Sequence, residues 1–296
     1  MNGVVNIYKE KGLSSFAVVK AARRIFGTKK CGHLGTLDPM AEGVLPVCLG
    51  YATKLVDYMM AVDKEYVAQF RLGQSTDSYD STGEVTAENH DIKPSLAQVE
   101  EALKGFIGDV ELTVPAFSAV KINGKRAYDL ARQGEIEDAG QRIMSIRDIS
   151  LMSYDYPDGM MRMQCYKGTY VRSVIHEMGL KLGTYANMTG LIRTVNGQFS
   201  HQDAFKISEL ESMKDDGRLT EAVIPVDKAT GWPVAVVKDE ALKLVNNGLS
   251  VKAHNYASVP DIESDMYFLA DRKGTLLAFA KRGRGDTPFI IVKLLV

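Results

Sequence analysis

From Glu65 to Leu72 the chain reads Glu-Tyr-Val-Ala-Gln-Phe-Arg-Leu, with Tyr66, Ala68, Phe70 and Leu72 on one side of an extended backbone and Val67, Gln69 and Arg71 on the other. Successive side chains of a strand point to opposite faces, so this period of two calls for a half-buried strand in a sheet whose inner face meets a core. Tyr66 then faces inward with the apolar set. "GVVNIY" (3–8) predicts a second strand, and "MMRMQCYKGTYVRS" (160–173) a hairpin or a strand and turn broken at Gly168. Beyond that break Tyr170 and Arg172 stand two residues apart, which on an extended chain puts them on one face.

Helical spacing takes over elsewhere. After Ser14 or Ser15 as N-cap, Val18, Val19, Ala22, Ile25 and Phe26 form an apolar stripe that Gly27 closes, leaving Lys20, Arg23 and Arg24 on the outer face. Ser95 and Gln98 form a capping box ahead of a stripe of Leu96, Val99, Leu103, Phe106 and Ile107, with Gly108 as the stop. "SVIHEMGLKLG" (173–183) is a third helix ended by glycine. "IPVDKATGWP" marks a connection, after which a short helix (238–248) and strands around a turn at Lys273-Gly274 predict a small, mostly β accessory domain. The expected organisation is an α+β domain over 1–232 followed by this unit over 233–296.

A 45% hydrophobic, 25% charged chain of 296 residues is long enough to bury a large core. No stretch approaches a membrane span, and "MNGVVNIYKEKG" lacks the apolar run of a signal peptide, so the cytoplasm is the expected location. Cys31, Cys48 and Cys165 form no CxxC pair and read as reduced thiols. The five histidines show no ligand spacing, so no bound metal is expected. Net charge is −1, yet Lys9, Lys11, Lys20, Arg23, Arg24, Lys29 and Lys30 crowd the first 34 residues, and further basic clusters lie at 121–132 and 281–285. Solvated surface is the ordinary account of such runs; phosphate-backbone binding suits them as well.

"GHLGTLDPMAEGVLPV" (32–47) leaves two readings open. Asp38 with Pro39 could cap a helix, but the capping box would want Glu or Gln where Ala41 stands, and Gly43 arrives after barely one turn. The other reading is a glycine-bounded loop presenting an exposed functional carboxylate.

This block, with "VPAFSAVKINGKRAYDLARQG" (114–134) and "KGTYVRSVIHEMG" (167–179) following in order, resembles the bacterial TruB family of tRNA pseudouridine synthases. Further matches at 9–35, 64–83 and 191–199 extend the resemblance over nearly all of residues 3–232. It implies a mixed, largely antiparallel sheet of the pseudouridine synthase type flanked by helices, with a PUA-like RNA-binding domain at the C-terminus. The implied reaction isomerises uridine 55 in the T-loop of tRNA to pseudouridine, by a monomer and without a cofactor. Asp38 matches the nucleophile, and a carboxylate is a competent covalent catalyst in glycosyl transfer. Arg172 matches its guanidinium partner, a bidentate role that Lys would imitate poorly. Tyr66 and Tyr170 match the active-site tyrosines, platforms for a flipped base, with Tyr66 also placed to move a proton. His33 matches the histidine that helps extrude the base, and Leu191 or Ile192 is the expected wall of the uracil pocket. Lys54, Lys121, Lys125, Arg126 and Arg193 are the candidates for RNA backbone contacts.

Two departures stand out: Lys9-Glu10 where the family has Lys-Pro, an expected loop change, and Glu42 where it has Thr. Glu42 lies four residues from Asp38 and would raise its pKa if turned inward, so it is expected to face solvent. A noncatalytic tRNA-binding module would share the basic patches and aromatics without requiring Asp38 and Arg172 together. A glycoside hydrolase would ordinarily add a second carboxylate, and none stands out in the matching blocks.

Overall fold

The computed structural model describes residues 1–295. Its principal elements, in chain order, are β1 (Gly3–Lys9), α1 (Ser15–Ile25), β2 (Glu42–Leu49), β3 (Lys64–Leu72), α2 (Leu96–Lys104), β4 (Gly108–Pro115), β5 (Asp138–Asp155), β6 (Asp158–Cys165), α3 (Val171–Lys181) and β7 (Ala186–Asn196). The strands form one mixed sheet in the order β1-β2-β7-β3-β6-β5-β4, antiparallel throughout except where β2 and β7 run parallel. Short strands at Cys31–His33 and Phe199–Ser200 pair off this path.

The alternation in β3 is realised: Tyr66, Ala68, Phe70 and Leu72 are buried, while Gln69 and Arg71 are exposed. That inner face joins α2 and α3 in one apolar cluster with Val99, Leu103, Val174, Ile175 and Met178. On the other half of the sheet, Val18, Val19, Ala22 and Ile25 of α1 pack against Val5, Ile7, Leu45 and Val47.

Ser14 caps α1 by accepting from Ala17 N, and the Ser95–Gln98 capping box is present on α2. The α2 stripe is narrower than its spacing predicts. The helix ends at Lys104, so Ile107 falls beyond it and is exposed, as is Leu96 in the first turn. Tyr170 and Arg172 are also placed differently: β6 stops at Cys165, Tyr170 is the N-cap of α3, and Arg172 lies in its first turn. Shared strand facing therefore does not bring them together.

A second sheet begins at Val234: β8 (Val234–Val237), β9 (Tyr256–Ser258), β10 (Met266–Ala270), β11 (Leu276–Arg284) and β12 (Thr287–Leu294), in the order β9-β8-β10-β11-β12. It is the small, mostly β unit expected at the C-terminus. Phe268 and Phe279 on one of its faces pack with Val4, Val44 and Phe199 of the larger sheet and with Leu55 from the turn after β2, and the Trp232 ring lies against both phenylalanines.

Three neighbouring strands define the centre of the larger sheet. The parallel register sets Arg193 opposite Gly43, and the antiparallel register sets the same Arg193 opposite Tyr66. Gly43 has φ +107, and a Cβ there would run into the Arg193 carbonyl oxygen, so this crossing admits only glycine. The loop before β2, which carries Asp38, is thereby laid next to Tyr66.

Candidate active site

Asp38 sits in a tight loop, not at a helix start. Its carbonyl accepts from Ala41 N at 3.1 Å, which closes a turn. The backbone around it is held by three buried side chains. The Ser15 hydroxyl, at the start of α1, donates to the Leu37 carbonyl and accepts from Leu37 N, at 3.0 and 2.9 Å. Lys9, at the end of β1, gives its ammonium to the carbonyls of Glu10, Pro39 and Ala41. Arg193 of β7 donates to the carbonyls of Val44, Gly35 and Thr36. With its backbone so fixed, the loop leaves the Asp38 side chain 36% exposed.

The Arg172 side chain is only 5% exposed, and its Nε lies 3.0 Å from Asp38 Oδ2. Its two terminal nitrogens donate to the carbonyls of Ser78 (2.9 Å) and Phe117 (3.0 Å). Nη1 also faces Asp80 Oδ2 at 3.7 Å. The guanidinium is thus immobilised on all sides and presents its Nε to the carboxylate, a charge-assisted contact between a buried cation and a part-exposed anion.

Both tyrosines feel the Asp38 charge. Tyr66 is buried, and burial pushes its pKa up, with Arg193 opposing and Asp38 adding a smaller upward push. Tyr170 is half-buried and shifts up for the same first reason, with Arg142 and Arg172 pulling down. Both rings therefore hold their phenolic proton at neutral pH. His33 ends the short strand paired with β2, and burial followed by the Arg193 charge lowers its pKa. Its buried Nδ1 has no partner among the described residues. Leu191 is buried in the cluster that contains Leu37, Met40 and Tyr66, whereas Ile192 is only partly buried and lies opposite Glu42.

The basic candidates separate into groups. Lys121, Lys125 and Arg126 are exposed on a two-stranded hairpin (Lys121–Ile122, Lys125–Arg126) and border a recess of about 460 Å³ with Gly124, Asp129 and Leu130. Lys54 is exposed, and its ammonium bonds the Leu294 carbonyl at 2.7 Å, which ties the two sheets together. Arg193 is the correction: at 1% exposure, with its guanidinium spent on three backbone carbonyls, it cannot reach a phosphate. Lys9 leaves the N-terminal basic patch on the same ground.

Glu42 does not simply face water; it accepts a hydrogen bond from the Tyr8 hydroxyl at 3.1 Å. Burial and that carboxylate drive the Tyr8 pKa up to about 12.

Asp80 is the residue the sequence pattern did not single out. It is a second carboxylate inside a matching segment, but it is 4% exposed, and its Oδ1 accepts from the Ser78 hydroxyl and from Thr82 N and Oγ1. So saturated, it anchors Arg172 and is no second acid of the glycosidase kind. The local signal was an acid with small hydroxyl residues two positions to either side, Ser78 and Thr82.

Among the described residues no cluster has the makings of a metal site, and no helix is long and apolar enough to cross a membrane.

Comparison with known proteins adds a family. Residues 23–171 match the model of the TruB family pseudouridylate synthase N-terminal domain, and residues 172–230 that of the tRNA pseudouridylate synthase B C-terminal domain. The chain is 38% identical over 291 residues to a tRNA pseudouridine synthase B of Pelotomaculum thermopropionicum, covering 96% of this chain and 92% of that one. It is 38% identical over 300 residues to the protein of the same name from Clostridium perfringens, covering 100% and 99%. Among solved structures it superimposes on a chain of a Cbf5-Nop10-Gar1 complex with a TM-score of 0.73 at 26% identity, covering 99% of this chain and 85% of that one.

Proposed function

The chain belongs to the TruB family of pseudouridylate synthases, and on that premise we propose that it isomerises uridine 55 in the T-loop of tRNA to pseudouridine, with Asp38 as the nucleophile. The observation that carries this reading is the Asp38–Arg172 pair: a part-exposed carboxylate held at 3.0 Å by a buried, fully bonded arginine. A noncatalytic tRNA-binding module has no use for a carboxylate so closely oriented.

In the reaction the glycosidic bond between N1 and C1′ breaks, the uracil turns, and a bond from C5 to C1′ forms. C5 loses its proton as the new bond forms and N1 gains one after the old bond breaks, so the product is an isomer and needs no donor or redox partner. Asp38 attacks the sugar or the ring and loosens the base; Arg172 holds the carboxylate aimed. Tyr66 and Tyr170 supply stacking faces, worth roughly 1 to 3 kcal/mol per base, which offset the cost of leaving the helix. His33 and Leu191 complete the pocket. Lys121, Lys125 and Arg126 engage phosphates, and the C-terminal unit, whose sheet runs from Val234 to Leu294, is an RNA-binding accessory domain. The enzyme works as a monomer in the cytoplasm, where its substrate is.

Primer-extension mapping after carbodiimide treatment of an unmodified tRNA transcript tests the target. A single stop reporting position 55, absent without enzyme, is expected; modification spread over other uridines, or none, contradicts the proposal.

A further inference from the structure

We propose that the stacked pair Tyr79–His176 is a positioning device for this reaction: it holds residues 78–80 in the turn that brings the Ser78 carbonyl and the Asp80 carboxylate to Arg172, and so keeps Arg172 aimed at Asp38. The inference rests on the reading of Asp38 as nucleophile given above.

Tyr79 has φ +62, a left-handed conformation that residues with a side chain rarely adopt, so its surroundings must hold it there. Its ring lies flat on the His176 imidazole, with centroids 3.8 Å apart and planes 8° from parallel. His176 Nδ1 in turn lies 3.0 Å from the hydroxyl of Ser75, at the near end of the same loop. His176 stands four residues after Arg172 in α3, one turn along the same face. That face grips the loop at two points: Arg172 takes the Ser78 carbonyl at 2.9 Å and faces Asp80 at 3.7 Å, while His176 covers the residue between them. The Tyr79 carbonyl is tied to Met188 N of β7 at 3.1 Å, so a change of φ at Tyr79 swings Ser78, not the sheet. The bonds of Asp80 to Ser78 and Thr82 order the loop internally, whereas the ring stack and the Arg172 contacts connect residues 78–80 to α3.

The test uses full-length protein and measures single-turnover tritium release from [5-³H]uridine tRNA together with tRNA affinity. His176→Ala is expected to slow release by about tenfold to a hundredfold with Kd unchanged within about twofold, the signature of misplacement with binding intact. His176→Phe keeps a ring for the stack and should stay within about threefold of wild type. Glycine enters the left-handed region without help, so Y79G/H176A should recover most of the rate that H176A loses. Tyr79→Leu, which keeps the strain and removes the stack, carries the same expectation as H176A if that variant folds poorly. Wild-type rates in H176A and Tyr79→Leu, an H176F variant as slow as H176A, or no recovery in the double variant would each overturn the inference. No release by wild type would overturn the function on which it rests.

Discussion

Arg193 and Lys9 show how far one side chain's surroundings change its meaning. Both are basic residues near a nucleic-acid site; both are buried under the Asp38 loop with their donors on backbone carbonyls. Truncating Arg193 strands the buried carbonyls of Val44 and Gly35, so Arg193→Ala should lower unfolding free energy by about 3 kcal/mol or more, read by urea denaturation. A surface phosphate contact would leave that curve unmoved. Lys9 makes a prediction in pH. Burial holds its pKa down to about 8 against 10.5 in the unfolded chain, with Asp38 and Glu42 pulling the other way. Between those values the unfolded state carries more protons on this lysine than the folded one, so its contribution to stability rises with pH. Across that window wild type should therefore gain stability relative to Lys9→Met; a constant difference would show that Lys9 titrates normally. Burial of a cation is hard to foresee from sequence because it is set by partners far along the chain, here the carbonyls of residues 35–44.

At the scale of elements, the strands and helices were legible where one periodicity ran for more than two turns. The β3 alternation, the α1 stripe and the Ser95–Gln98 box all appear where their chemistry requires. What was not legible was the junction from β6 into α3. Tyr170 and Arg172 converge on Asp38 because Tyr170 is extended, at φ −105 and ψ 112, and Arg172 lies in the first turn of the helix, a change of backbone that no spacing rule reports. Likewise Asp80 depends on a left-handed Tyr79. The Asp38 loop was legible as a glycine-bounded alternative to a cap, since Gly43 arrives after barely one turn. The exposed hairpin at 121–126 carries its own prediction. Lys121→Ala with Lys125→Ala should weaken tRNA binding across sequences and flatten its salt dependence by about one unit of slope for each phosphate no longer engaged, with no change in melting temperature. An unaltered slope would remove the hairpin from the RNA interface.

Over the whole molecule the two tasks are carried by different parts of the chain. The proposed binding surface is distributed: the hairpin, the exposed basic face of α1 and the C-terminal sheet, docked through Phe268 and Phe279, lie on separate elements. The proposed chemistry is concentrated on one carboxylate, presented by a loop that β1, α1 and β7 all brace. Removing that charge without altering its shape should then separate the two. Asp38→Asn, assayed for tritium release from [5-³H]uridine tRNA alongside tRNA affinity, is the most direct measurement. Release no higher than background, with affinity within a few-fold of wild type, is the expected result; an Asp38→Asn protein that still forms pseudouridine would contradict the assignment of the nucleophile.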